Sequence, residues 1–219
     1  MRRTSDTSLV RDYCNANIGG VLDLNYVSKN FFSDIPEVNL RKIATRLIDS
    51  GLLRQISKGV YLIGDSDLSD EERIINHYLY DGTLRVGVPV GEYLMYTLGF
   101  EDEEPLIKQI KTKRTVGNKN IGNIQIIHTN TDIGSGKLNT YELEIALELI
   151  EKMDVIHPFK INEAQELVEK YLKEYYADFR FSRLEMDRPR KTYLKLAYFL
   201  NSMDICNRVE EIYAEKTRF

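Results

Sequence analysis

The 219-residue sequence has few cysteines, histidines and prolines, and it has no tryptophan. Its two cysteines, Cys14 and Cys206, lie near opposite ends, so they provide neither a disulfide framework nor a zinc ligand set, and we expect two buried thiols. The three histidines are isolated from one another and from cysteine, so no metal-binding spacing is present. The sequence therefore predicts neither a metal site nor a cofactor.

Long apolar runs are also missing. No segment approaches the roughly 20 apolar residues of a membrane span. The basic first residues are not followed by the apolar region of a signal peptide. With 42% hydrophobic and 29% charged residues, the composition is typical of a globular protein. We therefore expect a cytoplasmic protein without a membrane partner.

The formal net charge of −4 is unevenly distributed along the chain. Residues 1–64 contain nine Lys or Arg and six Asp or Glu, whereas residues 65–219 contain 21 and 28. Since a polyanion attracts only the basic part, we expect the front of the chain to bind it and the acidic rear to stay away from it. A polar stretch at 65–72 predicts a boundary that few contacts cross, between domains at 1–66 and 67–219.

The front of the chain has the pattern of three helices and a hairpin. Helical spacing occurs at 9–17, at 25–32 with Phe31 on the inward face, and at 39–51, where Asn39 is the expected N-cap. Two apolar segments around a Ser-Lys-Gly turn at 57–59 then predict a tight hairpin. This order is typical of a winged helix-turn-helix.

The rear of the chain mixes helix and strand signals before it becomes helical. A capping box of Ser69 and Glu72 starts one helix, and a Gly/Asn-rich turn is expected at 117–122. From Asn139 onward the pattern is helical, with Asn162 as the expected cap of one helix. The fold class we predict is α+β and mainly helical, in which an N-terminal winged helix-turn-helix precedes an α+β domain that ends in a helical bundle.

The polar face of the third predicted helix is the leading candidate for chemistry. A recognition helix places long polar side chains in the major groove of DNA while its apolar stripe holds it on the domain. Cations on the following hairpin would then lie beside the DNA backbone, and Arg2 and Arg3 could form a basic arm. A plain solvated helix face and a protein-binding winged helix are the alternatives. The candidate DNA-binding residues are Arg41, Lys42, Thr45, Arg46, Arg54, Ser57 and Lys58.

Enzyme motifs are otherwise incomplete. Gly134-Ser135-Gly136-Lys137 follows an extended run, as in a phosphate-binding loop. However, Thr131 stands where that loop has its first glycine, and Leu138 stands where Ser or Thr would hold magnesium. We therefore interpret the segment as a polar loop and predict that the chain is not an enzyme. A nucleotide-using activity around Lys137 is a third functional hypothesis, which we rank below the two DNA-binding hypotheses given next.

Acidic residues recur along one later helix of the rear part. Glu142, Glu144, Glu148 and Glu151 have the spacing of a helix face, and no histidine or metal partner lies nearby in the sequence. We expect this face to be solvated rather than catalytic.

Residues 46–61, RLIDSGLLRQISKGVY, resemble the recognition-helix end and wing of AbiEi-like antitoxins of type IV toxin-antitoxin systems. Residues 91–100, GEYLMYTLGF, are similar to that family's helix with a terminal leucine-glycine pair. The helical end, with Ala146-Leu147 and residues 194–200, is similar too. The sequence departs from the family at Ser57-Lys58, where an Arg-Arg or Lys-Arg pair is more usual.

The resemblance implies a bacterial DNA-binding antitoxin. It implies a transcriptional regulator that binds inverted repeats in its own promoter and represses its operon. Inverted repeats are compatible with binding by a homodimer. The rear domain would counteract a nucleotidyltransferase-like toxin, with which members need not form a stable complex. The resemblance assigns the DNA-contacting role to Arg41, Lys42, Thr45, Arg46, Arg54 and Lys58. The alternative is a winged-helix regulator without a toxin partner, whose rear domain senses a signal or dimerises.

Overall fold

The computed structural model describes residues 5–134 and 140–218, and it is an α+β structure with about half of the chain in helices. The helices in these ranges are α1 (Asp6–Ala16), α2 (Leu24–Asn30), α3 (Glu37–Asp49), α4 (Asp70–Leu79), α5 (Gly91–Thr97), α6 (Tyr141–Lys152), α7 (Ile161–Tyr175), α8 (Asp178–Phe181), α9 (Arg190–Ser202) and α10 (Val209–Lys216). The strands are β1 (Val21–Asp23), β2 (Leu53–Ser57), β3 (Val60–Ile63), β4 (Tyr80–Asp81), β5 (Leu84–Arg85), β6 (Gly87–Val90), β7 (Lys108–Thr112), β8 (Lys119–Ile121) and β9 (Ile124–His128).

The first three helices pack on an antiparallel sheet with the strand order β1-β3-β2. Helix α3 follows Pro36, so it begins two residues before Asn39, and the predicted cap at Asn39 was wrong. The helix ends before Gly51, whose φ of +77° suits a glycine. Phe31 is exposed rather than inward, because α2 ends at Asn30.

Strands β1 and β3 of this first sheet are buried on both faces, which the hairpin pattern alone did not predict. One face contributes Leu22, Tyr61 and Ile63 to the core of the front helices. The other face contributes Val21, Val60 and Leu62 to a second cluster with residues of α4 and of the later sheet. Because both sides of the central strand β3 meet apolar neighbours, this strand is continuously apolar, whereas Arg54 and Gln55 of β2 are exposed.

A mixed four-stranded sheet, β6-β7-β9-β8, forms the next layer. Strands β7 and β9 are parallel, and the outer strands are antiparallel to their neighbours. Strand β8 occupies 119–121, where a turn was expected, because Lys119–Ile121 pairs with Ile124–Ile126 around a tight connection at Gly122. One face of the sheet packs Ile110, Ile124 and Ile126 into the cluster with α4.

The helices after β9 form the largest hydrophobic cluster together with β6 and α5. Helix α7 begins at Ile161 with Lys160 as its cap residue, so the predicted cap at Asn162 was wrong. The sequence pattern also missed the short helix α8. Cys14 is buried as expected, but Cys206 is exposed because it lies in the open connection between α9 and α10.

The segment after residue 66 is bound to the front elements by buried polar contacts. Arg73 of α4 donates hydrogen bonds to the carbonyls of Gly19, Gly20, Ile63 and Gly64 at 2.9–3.2 Å. These contacts and the cluster shared by α4 and the first sheet contradict our expectation that few contacts cross the boundary. The division at 66/67 itself stays a prediction.

A buried carboxylate forms a second link across this boundary. Asp23 is fully buried and accepts hydrogen bonds from the Tyr78 hydroxyl, at 2.9 Å, and from Lys119 Nζ. Its other oxygen accepts from the backbone N–H of Tyr26, so the residue that caps α2 is also held by α4 and β8. Burial, reinforced by Asp23, raises the pKa of Tyr78 above its ordinary value, so the hydroxyl stays a donor.

Within the described ranges, none of the helices combines the length and the apolar character that crossing a membrane requires.

Candidate nucleic-acid interface

The exposed face of α3 carries four of the seven predicted residues in two adjacent rows. Arg41 and Thr45 are one turn apart, and Lys42 and Arg46 form the next row around the helix. All four side chains are exposed, because Leu40, Ile43, Ala44 and Leu47 turn the opposite face into the core. The helix therefore presents three cations and a hydroxyl outward, as its amphipathic pattern predicted.

A polar groove of about 650 Å³ lies between α2, α3 and the β2–β3 hairpin. Three of the seven predicted residues line it: Arg41 and Thr45 from the helix, and Lys58 from the hairpin turn. Lys42, Arg46, Arg54 and Ser57 are not among its lining residues. The groove therefore has a helix face on one side and a hairpin tip on the other.

The charges in the groove leave a cationic excess. Lys29, Arg41 and Lys58 line it together with one carboxylate, Glu37. Arg41 forms an ion pair with Glu37 at 2.5 Å, in which both side chains are more than half exposed. Since exposed pairs of this kind contribute little stability, Arg41 can exchange Glu37 for a phosphate oxygen at small cost.

Two of the predicted hairpin residues have other partners. Arg54 donates to Asp70 Oδ1 at 2.5 Å, and this hydrogen bond raises the pKa of Arg54 and lowers that of Asp70. Ser57 is half-buried, and its carbonyl accepts a hydrogen bond from Gln55 Nε2 at 3.2 Å. Of the three predicted hairpin residues, only Lys58 reaches the groove.

Sequence reasoning missed part of the groove. Asn25, Ser28 and Lys29 of α2 and Gln55 of β2 also line it. Val116 lines it too, although it belongs to the connection between β7 and β8 in the rear part of the chain. The sequence did contain an indication that the segment around Val116 differs from the acidic rear part, because residues 105–131 contain five Lys or Arg and no Asp or Glu.

The glutamate face of α6 is buried in part, contrary to our expectation. Glu144 is 0% exposed and Glu148 is 8% exposed, because the helix packs against the β7 face of the sheet and the segment before α9. Two cations stand opposite them. Lys111 of β7 and Arg188 are 3% and 9% exposed.

The four buried groups form one network. Lys111 Nζ lies 3.3 Å from Glu144 and 2.8 Å from Asp187. Arg188 Nη2 lies 2.9 Å from Glu144 and 3.1 Å from Glu148. The second oxygen of Glu148 accepts from the backbone N–H of Gly91 at 2.7 Å.

Because the buried charges are mutually paired, the cluster links β7, α5, α6 and the segment before α9.

In residues 5–134 and 140–218, no group of three or more Asp, Glu, His or Cys side chains has the geometry to hold a metal ion. Two features of the sequence fall outside these residues. They are the basic arm at 2–3 and the Ser135-Gly136-Lys137 part of the near-match to a phosphate-binding loop.

No protein-family model matches the chain, and a comparison with curated proteins finds no significant similarity. The resemblance to AbiEi-like antitoxins therefore stays a prediction from short sequence segments.

Proposed function

We propose that the chain is a cytoplasmic DNA-binding regulator whose front forms a winged helix-turn-helix, with α3 as the recognition helix and the β2–β3 hairpin as the wing. The observation that carries this proposal is the groove, since it brings Arg41 and Thr45 of α3 and Lys58 of the hairpin to one space. Helix face, hairpin tip and cationic excess meet the requirements of backbone binding beside a major groove.

The placement of Lys42 and Arg46 extends the same proposal. They lie on the exposed face of α3 next to the groove row, so they can reach base edges while Arg41 and Lys58 hold phosphates. Val38 is 64% exposed on the first turn of this face and offers an apolar contact of the kind that thymine methyl groups accept.

The more specific proposal is that the protein is an AbiEi-like antitoxin that represses its own operon and counteracts a nucleotidyltransferase-like toxin. It rests on the resemblance of residues 46–61 and 91–100 and on the groove at the predicted place. A regulator without a toxin partner shares the groove and differs only in what the rear part does.

The test of DNA binding is a titration of the full chain against its own upstream DNA at several salt concentrations. With about four to six phosphate contacts, log affinity should fall with log salt at a slope of about −4 to −5. A slope near zero, or equal affinity for upstream and random DNA, would contradict the proposal.

A growth assay tests the antitoxin role. The full chain is expressed beside the gene product encoded next to it, and an Arg41→Ala variant serves as the control for DNA binding. Rescue by both proteins indicates antitoxicity independent of the groove. Absence of a toxic neighbour, or no rescue by either protein, favours the regulator without a toxin.

A further inference from the structure

We propose that the connection between β7 and β8, residues 113–118, contacts the DNA backbone as a third wall of the groove. This inference rests on the proposed DNA-binding function. It assigns a DNA contact to the rear part of the chain, which its overall acidity would exclude. The first observation is Val116, which lines the same groove as Arg41, Thr45 and Lys58.

The connection is held in a fixed position against α2. Arg114 Nη1 donates to the carbonyls of His77 and Tyr80 at 3.1 and 2.7 Å, and its guanidinium lies 5.8 Å from the centre of the Tyr26 ring of α2. At the other end, Lys119 binds the Asp23 carboxylate that caps α2. Because both ends are anchored to or beside α2, the position of Val116 in the groove follows from the fold.

The interior of the connection is also ordered by its own contacts. Thr115 Oγ1 donates to the carbonyl of Gly117 at 2.8 Å, and Asn118 Oδ1 accepts from the backbone N–H of His128 at 2.8 Å. A segment held in this way does not need to be ordered when DNA binds, so it adds contacts without a large entropic cost.

The segment that contains the connection has no carboxylate of its own. Residues 105–131 contain five Lys or Arg and no Asp or Glu, so the other residues of 65–219 contain 16 Lys or Arg and 28 Asp or Glu. The acidity of the rear part therefore lies outside this segment. The cations of this segment are paired with carboxylates elsewhere in the fold, including Arg114 with Asp81 and Lys119 with Asp23, and the connection brings no negative charge of its own to the groove.

The test changes the charge at position 116 in both directions in the full chain. Val116→Lys adds a cation to the wall, and Val116→Glu adds an anion. We expect the lysine variant to bind the upstream DNA about two- to fivefold more tightly at low salt, with a salt slope steeper by about 0.9, and the glutamate variant to show the opposite changes. Leu106→Lys and Leu106→Glu are matched controls, because Leu106 is 91% exposed and lies beyond the opposite end of β7.

The outcomes separate this inference from the proposed function. If the variants at 116 bind DNA like those at 106 while Arg41→Ala weakens binding, the groove binds DNA but residues 113–118 do not contact it. If Arg41→Ala also binds like the wild type, the proposed function fails, and this inference fails with it.

Thermal unfolding shows whether either variant at 116 fails to fold. In that case a second measurement tests the inference. A photo-crosslinking amino acid at 116 should form an adduct with the upstream DNA, and the same group at 106 should not. Absence of the adduct at 116 overturns the inference.

Discussion

Helices α3 and α6 carry charged side chains at similar helical spacing, but the fold uses them differently. On α3 the charged residues face solvent, and Arg41 has only an exposed partner one turn away. On α6, Glu144 and Glu148 are buried against Lys111 and Arg188. A charged helix face can therefore be exposed to solvent or part of a core, and the element that covers it decides which.

Exposed and buried ion pairs also differ in their contribution to stability. Exposed ion pairs contribute little stability and can exchange partners, which suits a surface that binds a polyanion. Buried ion pairs are costly to break, because removal of one partner leaves an uncompensated charge in the interior. Substitutions in the two kinds of ion pair should therefore have different effects on stability and on DNA affinity.

Removal of the buried cation should have the largest effect. Arg188→Met leaves Glu144 and Glu148 with one fewer cation, and we expect the free energy of unfolding to fall by about 3–5 kcal/mol, measured by denaturant titration. Arg208→Met is the matched control, since Arg208 pairs with Glu211 at the surface. Similar losses in the two variants would show that burial does not separate these ion pairs.

Removal of a cation from α3 should affect DNA affinity rather than stability. Arg46→Ala should lose about 1–3 kcal/mol of binding free energy for the cognate site and less for random DNA. Arg41→Ala and Lys58→Ala should weaken binding to both DNAs alike, because a phosphate contact carries no sequence information. Equal losses on both DNAs for every variant would show that α3 does not read bases.

Acid should weaken the buried network through Asp187. Burial raises the pKa of Asp187, but the charge and hydrogen bond of Lys111 outweigh this effect, so the folded-state pKa lies below its ordinary value. The resulting stabilisation is complete above the unfolded-state pKa of about 4 and is lost as pH falls through the lowered pKa.

Thermal unfolding between pH 2 and pH 7 measures this contribution. Asp187→Asn should be less stable than the wild type at pH 7, and the difference should shrink as the pH falls below 4. A difference that stays constant over this range would exclude the Asp187 carboxylate as its source.

Removal of the groove carboxylate should have the smallest effect and the opposite sign. Glu37→Gln frees Arg41 and removes a negative charge from the groove, so we expect DNA affinity at low salt to rise about two- to fivefold. Glu169→Gln is the control, because Glu169 forms the same type of pair with Lys173 on α7. An equal change in both variants would indicate a general effect of net charge.

Local patterns predicted most of the elements. The apolar stripe of α3, the capping box of Ser69 and Glu72, and the glycine of the hairpin turn at Gly59 are all present as expected. These signals act within a few residues, so the sequence contains them directly. The errors are one to three residues at helix starts, the short helix α8, and strands such as β1 and β8 that are too short to show a period.

The candidate site could be predicted only in part. The exposed faces of α3 and of the hairpin turn follow from the local pattern, and Arg41, Thr45 and Lys58 line one groove there. Their role in DNA binding stays a prediction. That Arg54 turns to Asp70, and that Val116 joins the groove, depends on contacts between residues distant in the chain.

Interactions between neighbouring residues set where most of the helices and the hairpin turn form and which side of each helix is apolar, so the sequence pattern shows these properties directly. What covers each polar face depends on tertiary packing. Glu144 meets Lys111 and Arg188, whereas Arg41 meets solvent, because the sheet and the segment before α9 pack on α6 and nothing comparable packs on that side of α3 within the described residues. Periodicity identifies a face, but the identity of its partner depends on long-range packing.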